Sequence, residues 1–183
     1  MDGFSLGSAI LQYTVSGLTI GVIYAMVAIG YNIIYNVTEI INFAQGEFVM
    51  LGGLFAVFLV QTMQLPVFAA FFGAVIATGC VGFAMERMVI RRARSSTVLS
   101  LIIITIAVSI LLKGSAMLWW GKNPHSLPAF TAGRPIIIAG AAIQLQAIWI
   151  FAVSTVIVVF LTLFFHRSVY GKAMLASADN PAA

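Results

Sequence analysis

Apolar runs separated by short polar segments fill almost the whole of this 183-residue chain. Each run is long enough to cross a hydrocarbon core of roughly 30 Å as a helix. The stretch 48–85 carries no charge and would reach about 57 Å as one helix, so it must contain a break. The segment 61–66 (QTMQLP) supplies that break, because proline suits the first turn of a new helix. The pattern therefore predicts about five transmembrane helices, near residues 8–35, 42–63, 66–88, 98–120 and 147–165.

A different pattern lies between the last two runs, near residues 135–146. Isoleucines at 136–138 precede Ala139 and Gly140, and residues 143–146 then alternate between apolar and polar. β-Branched residues beside a small-residue turn are typical of a β-hairpin. The predicted fold class is therefore an all-α polytopic membrane protein with a small extracytoplasmic β-hairpin.

Composition agrees with a membrane protein and argues against nucleic-acid binding. Hydrophobic residues make up 62% of the chain and charged residues only 8%, which is far from the usage of soluble domains. The formal net charge is +4, but the nine Lys and Arg residues are gathered in a few short loops. That distribution is typical of membrane topology and not of a surface that follows phosphates.

The sequence contains no recognisable site for ATP, metals or disulfides. It lacks the spacing of a P-loop. Cys80 is the single cysteine, and His125 and His166 lie too far apart to share a metal. We therefore predict that the chain is not an enzyme, has no ATPase site of its own, and binds neither a metal nor a cofactor.

Charged residues also predict the orientation of the spans. The densest charge cluster follows the third run, and four arginines in a short loop assign that loop to the cytoplasm. Alternation of the spans then places the N-terminus outside and residue 183 inside. Arg167 and Lys172 agree with this orientation, whereas Lys122 and Arg134 count weakly against it. The cluster consists of Glu86, Arg87, Arg91, Arg92 and Arg94.

Small residues recur every four positions on two of the predicted helices. In lipid, such a stripe lets two helices approach closely and gain van der Waals contact. Small residues are also common in membrane helices generally, which is the alternative interpretation. The stripes consist of Gly17, Gly21 and Ala25 on the first helix and of Ala74, Thr78 and Gly82 on the third.

Polar and acidic side chains are concentrated between the first and second predicted spans. Glu39 and Glu47 flank Asn42 and Gln45, and such side chains are expensive to keep in a bilayer. We interpret Asn42, Gln45 and Glu47 as candidates for a transport pathway, although acids at a helix end near the interface remain an equal alternative. Glycines that allow close backbone approach accompany them: Gly46, Gly52 and Gly53.

Two further ionisable residues are interpreted as interfacial. Lys113 lies within the fourth predicted span, where a long flexible side chain usually snorkels toward the headgroups. His166 stands beside Arg167 at the end of the fifth span. We interpret it as a cytoplasmic interfacial residue and not as part of a proton relay.

Five segments of the chain carry motifs that extend over essentially its whole length. They read GLTIGVIYAMVAIGYNIIYNVTEIINFAQGEFVMLGG, MERMVIRRARSS, TIAVSILL, WWGKNP and YGKAMLASADNPAA. The chain resembles the permeases of branched-chain amino acid ABC importers, the LivH-type inner-membrane subunits of leucine, isoleucine and valine uptake. The resemblance implies a subunit that works by alternating access. It also implies a second related permease, two cytoplasmic ATPase subunits that use the ATP, and a periplasmic substrate-binding protein as partners.

The resemblance further implies roles for particular residues. Thr105 joins the pathway or gating candidates, and the segment 166–183 resembles the cytoplasmic region that engages the ATPase. Because relatives continue past this segment, we expect the chain to be an N-terminal portion of a single, incomplete permease domain. The residues expected to couple to the ATPase are Gly171, Lys172, Met174, Asp179 and Asn180.

Several positions depart from the family pattern. Gln45 stands where many relatives have His, so a titratable role is lost there, although a carboxamide still donates and accepts hydrogen bonds. Asn36 and Glu39 stand where many have Gly; Asn tolerates left-handed backbone, but Glu39 changes the local charge. Leu175 stands where Arg is common, so we expect an ionic contact to the ATPase to be missing.

Other functions stay open at this point. A related ABC permease for urea, amides or other amino acids would show the same apolar spans. An ion-coupled secondary transporter or channel would be expected to carry coupling acids or bases near mid-membrane, and the spans are almost free of them. A non-transporting fragment that serves only assembly is the third alternative.

Overall fold

The computed structural model describes residues 6–93, 97–131 and 133–179. Within these ranges the chain forms six α-helices and one two-stranded sheet. The helices are α1 Leu6–Thr38, α2 Gln45–Gln61, α3 Val67–Met85, α4 Val98–Trp120, α5 Leu145–Arg167 and α6 Val169–Asp179. The strands are β1 Ile136–Ile138 and β2 Ala141–Ile143.

By length and composition, four helical stretches in the described ranges can cross a membrane: Leu6–Asn36, Val67–Ile90, Val98–Trp120 and Leu145–Arg167. The shorter α2 is also apolar but has 17 residues, which corresponds to about 25 Å of helix. The predicted fold class is confirmed, because the chain is an all-α polytopic membrane protein with a short β-hairpin.

The chain divides into two compact units. One, here the terminal unit, comprises Met1–Val37 and Ala129–Ala183, and the other, the central unit, comprises Thr38–Pro128. The central unit contains α2, α3 and α4. The terminal unit contains almost all of α1, the hairpin, α5 and α6.

Within the central unit, α2 packs antiparallel against α3. A Cβ added at Gly73 would lie 2.8 Å from Leu59 Cδ1, and one added at Gly52 would lie 3.5 Å from Thr78 Oγ1. The residue number rises along one helix while it falls along the other, which defines the antiparallel pairing. On the predicted α3 stripe, Ala74 is buried and Thr78 faces α2, so small side chains set the close approach here.

α2 runs parallel to α4. The backbone of Phe43, just before α2, bonds to Thr105, and the ring of Phe58 packs 6.5 Å from that of Trp120. The chain then turns back through residues 62–66, where Gln64 adopts φ 55° and Pro66 caps α3. The predicted break at 61–66 therefore coincides with an observed turn between two antiparallel helices.

A π-helical turn at Glu86–Ile90 continues α3 into the predicted cytoplasmic arginine cluster. The described members of the cluster are exposed, while Arg94 lies outside the described residues. In α4, Thr97 Oγ1 then caps the helix by accepting a hydrogen bond from the Ser100 amide at 3.4 Å.

In the terminal unit, the hairpin closes through a two-residue turn. Ile138 pairs with Ala141, and the turn residues Ala139 and Gly140 have φ values of 49° and 79°. Positive φ at both positions is the requirement of a type I′ turn, whose twist matches that of the flanking strands. The predicted hairpin near 135–146 is thereby confirmed.

α1 supports this hairpin through one side chain. Gln12 Nε2 donates to the Ala142 carbonyl at 3.1 Å, and Gln12 Oε1 accepts from the Ala142 amide at 2.7 Å. Residue 142 is one position beyond the closing pair of the turn, where an antiparallel ladder directs both backbone groups away from the partner strand. The carboxamide therefore satisfies a sheet edge that would otherwise lack a protein partner.

The α1 stripe is open within its own unit. In the described part of that unit, no heavy atom comes within 4 Å of a Cβ built at Gly17 or Gly21, and Ala25 is exposed. Close packing on this face stays a prediction that would need a neighbour from outside the unit.

A sharp corner joins α5 to α6. Ser168, between the helices, is extended with φ −79° and ψ 140°. A Cβ on the buried Gly171 would collide with the carbonyl oxygen of Phe164 and would lie 2.7 Å from Phe165 Cα. Only glycine fits where α6 folds back onto the end of α5.

Candidate functional site

A carboxylate, a hydroxyl and an ammonium meet where α2 begins against α4. Ser109 Oγ donates to Glu47 Oε1 at 3.0 Å, and Lys113 Nζ lies 3.4 Å from the same oxygen. The Glu47 side chain is 12% exposed, whereas that of Lys113 is 60% exposed. The cluster therefore has a nearly buried anion and an accessible cation.

The cluster lies deep along its helix. Ser109 is the central residue of α4, about 16 Å from each end at 1.5 Å per residue. The sequence suggested that Glu47 lies close to an interface, but its packing against Ser109 places it beside the centre of a membrane-length helix. Ionisable residues at such depth usually mark a functional site and carry a partner.

The position of the Lys113 side chain differs from that of a snorkelling lysine. Its Nζ turns toward Glu47, because a carboxylate within reach compensates the ammonium better than hydrocarbon does. Sequence reasoning also missed Ser109. The spacing of Thr105, Ser109 and Lys113, four residues apart, places all three on one face of α4 and was the available signal.

Thr105 supports non-helical backbone that precedes α2. Its fully buried hydroxyl accepts from the Phe43 amide at 3.3 Å and donates to the Ile102 carbonyl at 2.9 Å. Irregular backbone at membrane depth is tolerated only where protein or water satisfies its polar groups. Thr105 is thus the residue that holds the segment 39–44 against α4.

Asn42 and Gln45 shape the start of α2. Asn42 Oδ1 accepts from the Ala44 amide at 3.0 Å, and the Asn42 carbonyl accepts from the Gln45 amide at 3.2 Å. This local turn resembles the Asx turns that commonly initiate helices. Gln45 Oε1 is buried without a hydrogen-bond partner in the described part of the chain, so an acceptor is left over in this first turn.

The candidate glycines divide into two groups. Gly52 approaches α3, as described above for Thr78. Gly46 and Gly53 are exposed, and among the residues that the structure describes none has an atom within 4 Å of a Cβ at either position. Close approach within this chain is therefore seen at Gly52, whereas close approach at Gly46 and Gly53 stays a prediction.

Glu39 is exposed and adopts φ 54°, in the left-handed region that favours glycine. Asn36, by contrast, is helical within α1. Of these two residues, Glu39 therefore has the strained backbone, where an L side chain carries a steric cost of about 1–2 kcal/mol.

We expect Glu39→Gly to be more stable than Glu39→Ala by about 1 kcal/mol, because both remove the carboxylate but only glycine relieves the left-handed strain. Thermal unfolding of both purified variants in detergent measures the difference. Equal midpoints for the two variants would contradict the backbone explanation.

The proposed ATPase-coupling residues belong to the terminal unit. Gly171 is buried at the corner, while Lys172 and Met174 are exposed on α6. Asp179 ends α6, and Asn180 lies outside the described residues. A mostly apolar cavity of about 420 Å³ borders Met174 and is lined on α1 and α5 by residues that include Asn32 and His166.

Comparison with known proteins places these features in a family context. Residues 13–183 match the model of a family described as branched-chain amino acid transport system / permease component. The chain is 34% identical over 182 residues to the high-affinity branched-chain amino acid transport system permease protein BraD of Pseudomonas aeruginosa. It is 33% identical to LivH of Salmonella typhimurium and 31% identical to LivH of Escherichia coli K12, proteins with the same description.

These matches cover 93% of this chain and 59% of each relative. The chain therefore spans about three-fifths of the length of the curated relatives that it matches. No solved structure gives a significant match.

Proposed function

The chain belongs to the family of permease components of branched-chain amino acid transport systems, and from this premise we propose that it contributes the membrane-spanning pathway of an ABC importer. The substrates are leucine, isoleucine and valine, and the membrane is the bacterial inner membrane. The observation that carries the proposal is the cluster of Glu47, Ser109 and Lys113 beside the centre of α4. Polar groups at that depth fit a route through the membrane better than a purely structural helix pair.

In this mechanism the chain itself hydrolyses no ATP. Two cytoplasmic ATPase subunits bind and hydrolyse it, and a periplasmic binding protein delivers substrate to this permease and a second related one. ATP binding and hydrolysis bias two packings of the permease pair, so that the site opens to one side at a time. The exposed Lys172 and Met174 on α6 are the proposed contacts to an ATPase.

The proposed orientation has the arginine cluster in the cytoplasm, the N-terminus outside and residue 183 inside. Two observations support it within the central unit. Arg87, Arg91 and Arg92 are exposed, as the positive-inside rule expects of a cytoplasmic loop. In addition, α2 and α4 run parallel with α3 antiparallel, as successive crossings require.

A second candidate is an ion-coupled secondary transporter. The depth of Glu47 favours it, because coupling ions in such proteins bind near the membrane midplane. Dependence on ATP separates the two candidates.

Reconstitution tests the proposal directly. The permeases and ATPases, assembled in proteoliposomes with the binding protein outside, should accumulate radiolabelled leucine only when ATP is enclosed with the ATPase subunits. Variants of the ATPases that bind but do not hydrolyse ATP serve as the matched control and should abolish uptake. Uptake that persists with those variants and follows an imposed ion gradient would support the second candidate instead.

A further inference from the structure

We propose that Glu47, Ser109 and Lys113 bind the charged head group of a zwitterionic α-amino acid on its way through the membrane. This inference rests on the permease function proposed above and adds the residues that hold the substrate. The ammonium of Lys113 leaves Glu47 and binds the substrate carboxylate. Glu47, which keeps its hydrogen bond from Ser109, binds the substrate ammonium.

Charge balance supports this exchange. Glu47 and Lys113 are opposite charges in contact, and a zwitterion also carries one charge of each sign. Replacing one internal ion pair with two ion pairs to the substrate adds no net charge at a depth where an uncompensated charge is expensive. Urea and neutral amides have no charge with which to replace either partner, so the site selects amino acids over them.

The two partners differ in mobility as the exchange requires. Glu47 is nearly buried and is anchored by Ser109, whereas Lys113 has a 60% exposed side chain on a flexible stem. A Cβ at Gly46 or Gly114, the neighbours of the two charged residues, would meet no atom of the described residues within 4 Å. The positions next to the two charged residues are therefore not packed against other described parts of the chain.

Exposure of Lys113 also identifies the surroundings of the site. Lys113 lies seven residues before the end of α4, which is about 10 Å along the helix. An ammonium so exposed at this depth is not stable against lipid chains, so this face of α4 borders water or another protein subunit. Either neighbour keeps lipid chains away from the pair, which a binding site for a charged substrate requires.

The test uses the assembled transporter in nanodiscs, without its binding protein, titrated with radiolabelled leucine and with leucinamide, which lacks the carboxylate. Wild type should bind leucine at least 10-fold more tightly than leucinamide. The double variant Glu47→Gln/Lys113→Met leaves no unpaired charge and should bind leucine at least 10-fold more weakly, with the preference over leucinamide lost. Lys122→Met, in an exposed loop, is the matched control and should behave as wild type.

Each outcome distinguishes a binding role from a structural one. A double variant that keeps wild-type leucine binding and uptake would overturn the proposed site. A double variant that weakens leucine and leucinamide binding by the same factor would also overturn it, because that is the effect expected if the pair only holds α2 against α4. Wild type that binds leucinamide as well as leucine, or binds no leucine, would overturn it without recourse to any variant. Failure of wild type to import leucine in proteoliposomes would instead refute the proposed function.

Discussion

Replacing Thr105 with valine will destabilise the central unit by about 1–3 kcal/mol, the cost of leaving a buried amide without its acceptor. Valine matches threonine in shape, so packing is kept while the hydroxyl that accepts from the Phe43 amide is lost. The segment 39–44 should then detach from α4. Unfolding in detergent measures the stability, and protection of the Phe43 amide from hydrogen exchange should fall in parallel.

Two variants make this result specific. Thr105→Ser retains a hydroxyl and should recover most of the stability. Thr155→Val is the matched control, because the exposed Thr155 hydroxyl bonds, within the described part of the chain, only to a carbonyl of its own helix, that of Phe151 at 2.8 Å. A Thr105→Val protein as stable as the Thr155→Val protein would show that the contact to Phe43 contributes nothing.

Gly171→Ala will disrupt the corner between α5 and α6 and lower local stability by about 3 kcal/mol, because the added methyl meets rigid backbone at Phe164 and Phe165. A flexible neighbour could move aside, but backbone within a helix cannot. We expect α6 to separate from α5, and coupling to the ATPases to be lost with it under the proposed function. Cysteine labelling at Phe164→Cys, half-buried in the intact structure, measures the separation.

The control for this variant is Gly79→Ala on α3. Gly79 is exposed, and a Cβ there meets no atom within 4 Å in the described ranges of the chain. It should be neutral or slightly stabilising, since alanine favours helix over glycine. Labelling of the cysteine at 164 that is equally slow in the Gly79→Ala and Gly171→Ala proteins would contradict the steric explanation.

The sequence pattern predicted those features that depend on local chemistry. In lipid, the backbone N–H and C=O groups of a continuous apolar run must bond within the run, and a helix achieves this. The membrane class and the long helices were therefore predictable from hydropathy. The hairpin was also predictable, because β-branched residues at 136–138 flank a turn with a glycine at 140. The position of Gln12 against Ala142 was not, since no local pattern joins residues 130 positions apart.

The candidate site was predicted only in part for the same reason. Glu47 stood out as an acid in an apolar stretch, but its depth depends on which residue of α4 it meets. That residue follows from the parallel packing of α2 and α4, a tertiary feature. Lys113 taken alone resembles any snorkelling lysine, and only the carboxylate at 3.4 Å changes that interpretation.

The bond between Gln12 and Ala142 also has a consequence for biosynthesis. Gln12 leaves the ribosome 130 residues ahead of Ala142, and at 5–20 residues per second this interval lasts roughly 7–26 s. During that time α1 must wait in the translocon or the bilayer with its carboxamide unsatisfied by this partner. The contact between α1 and the hairpin therefore forms only after α2, α3 and α4 have been synthesised.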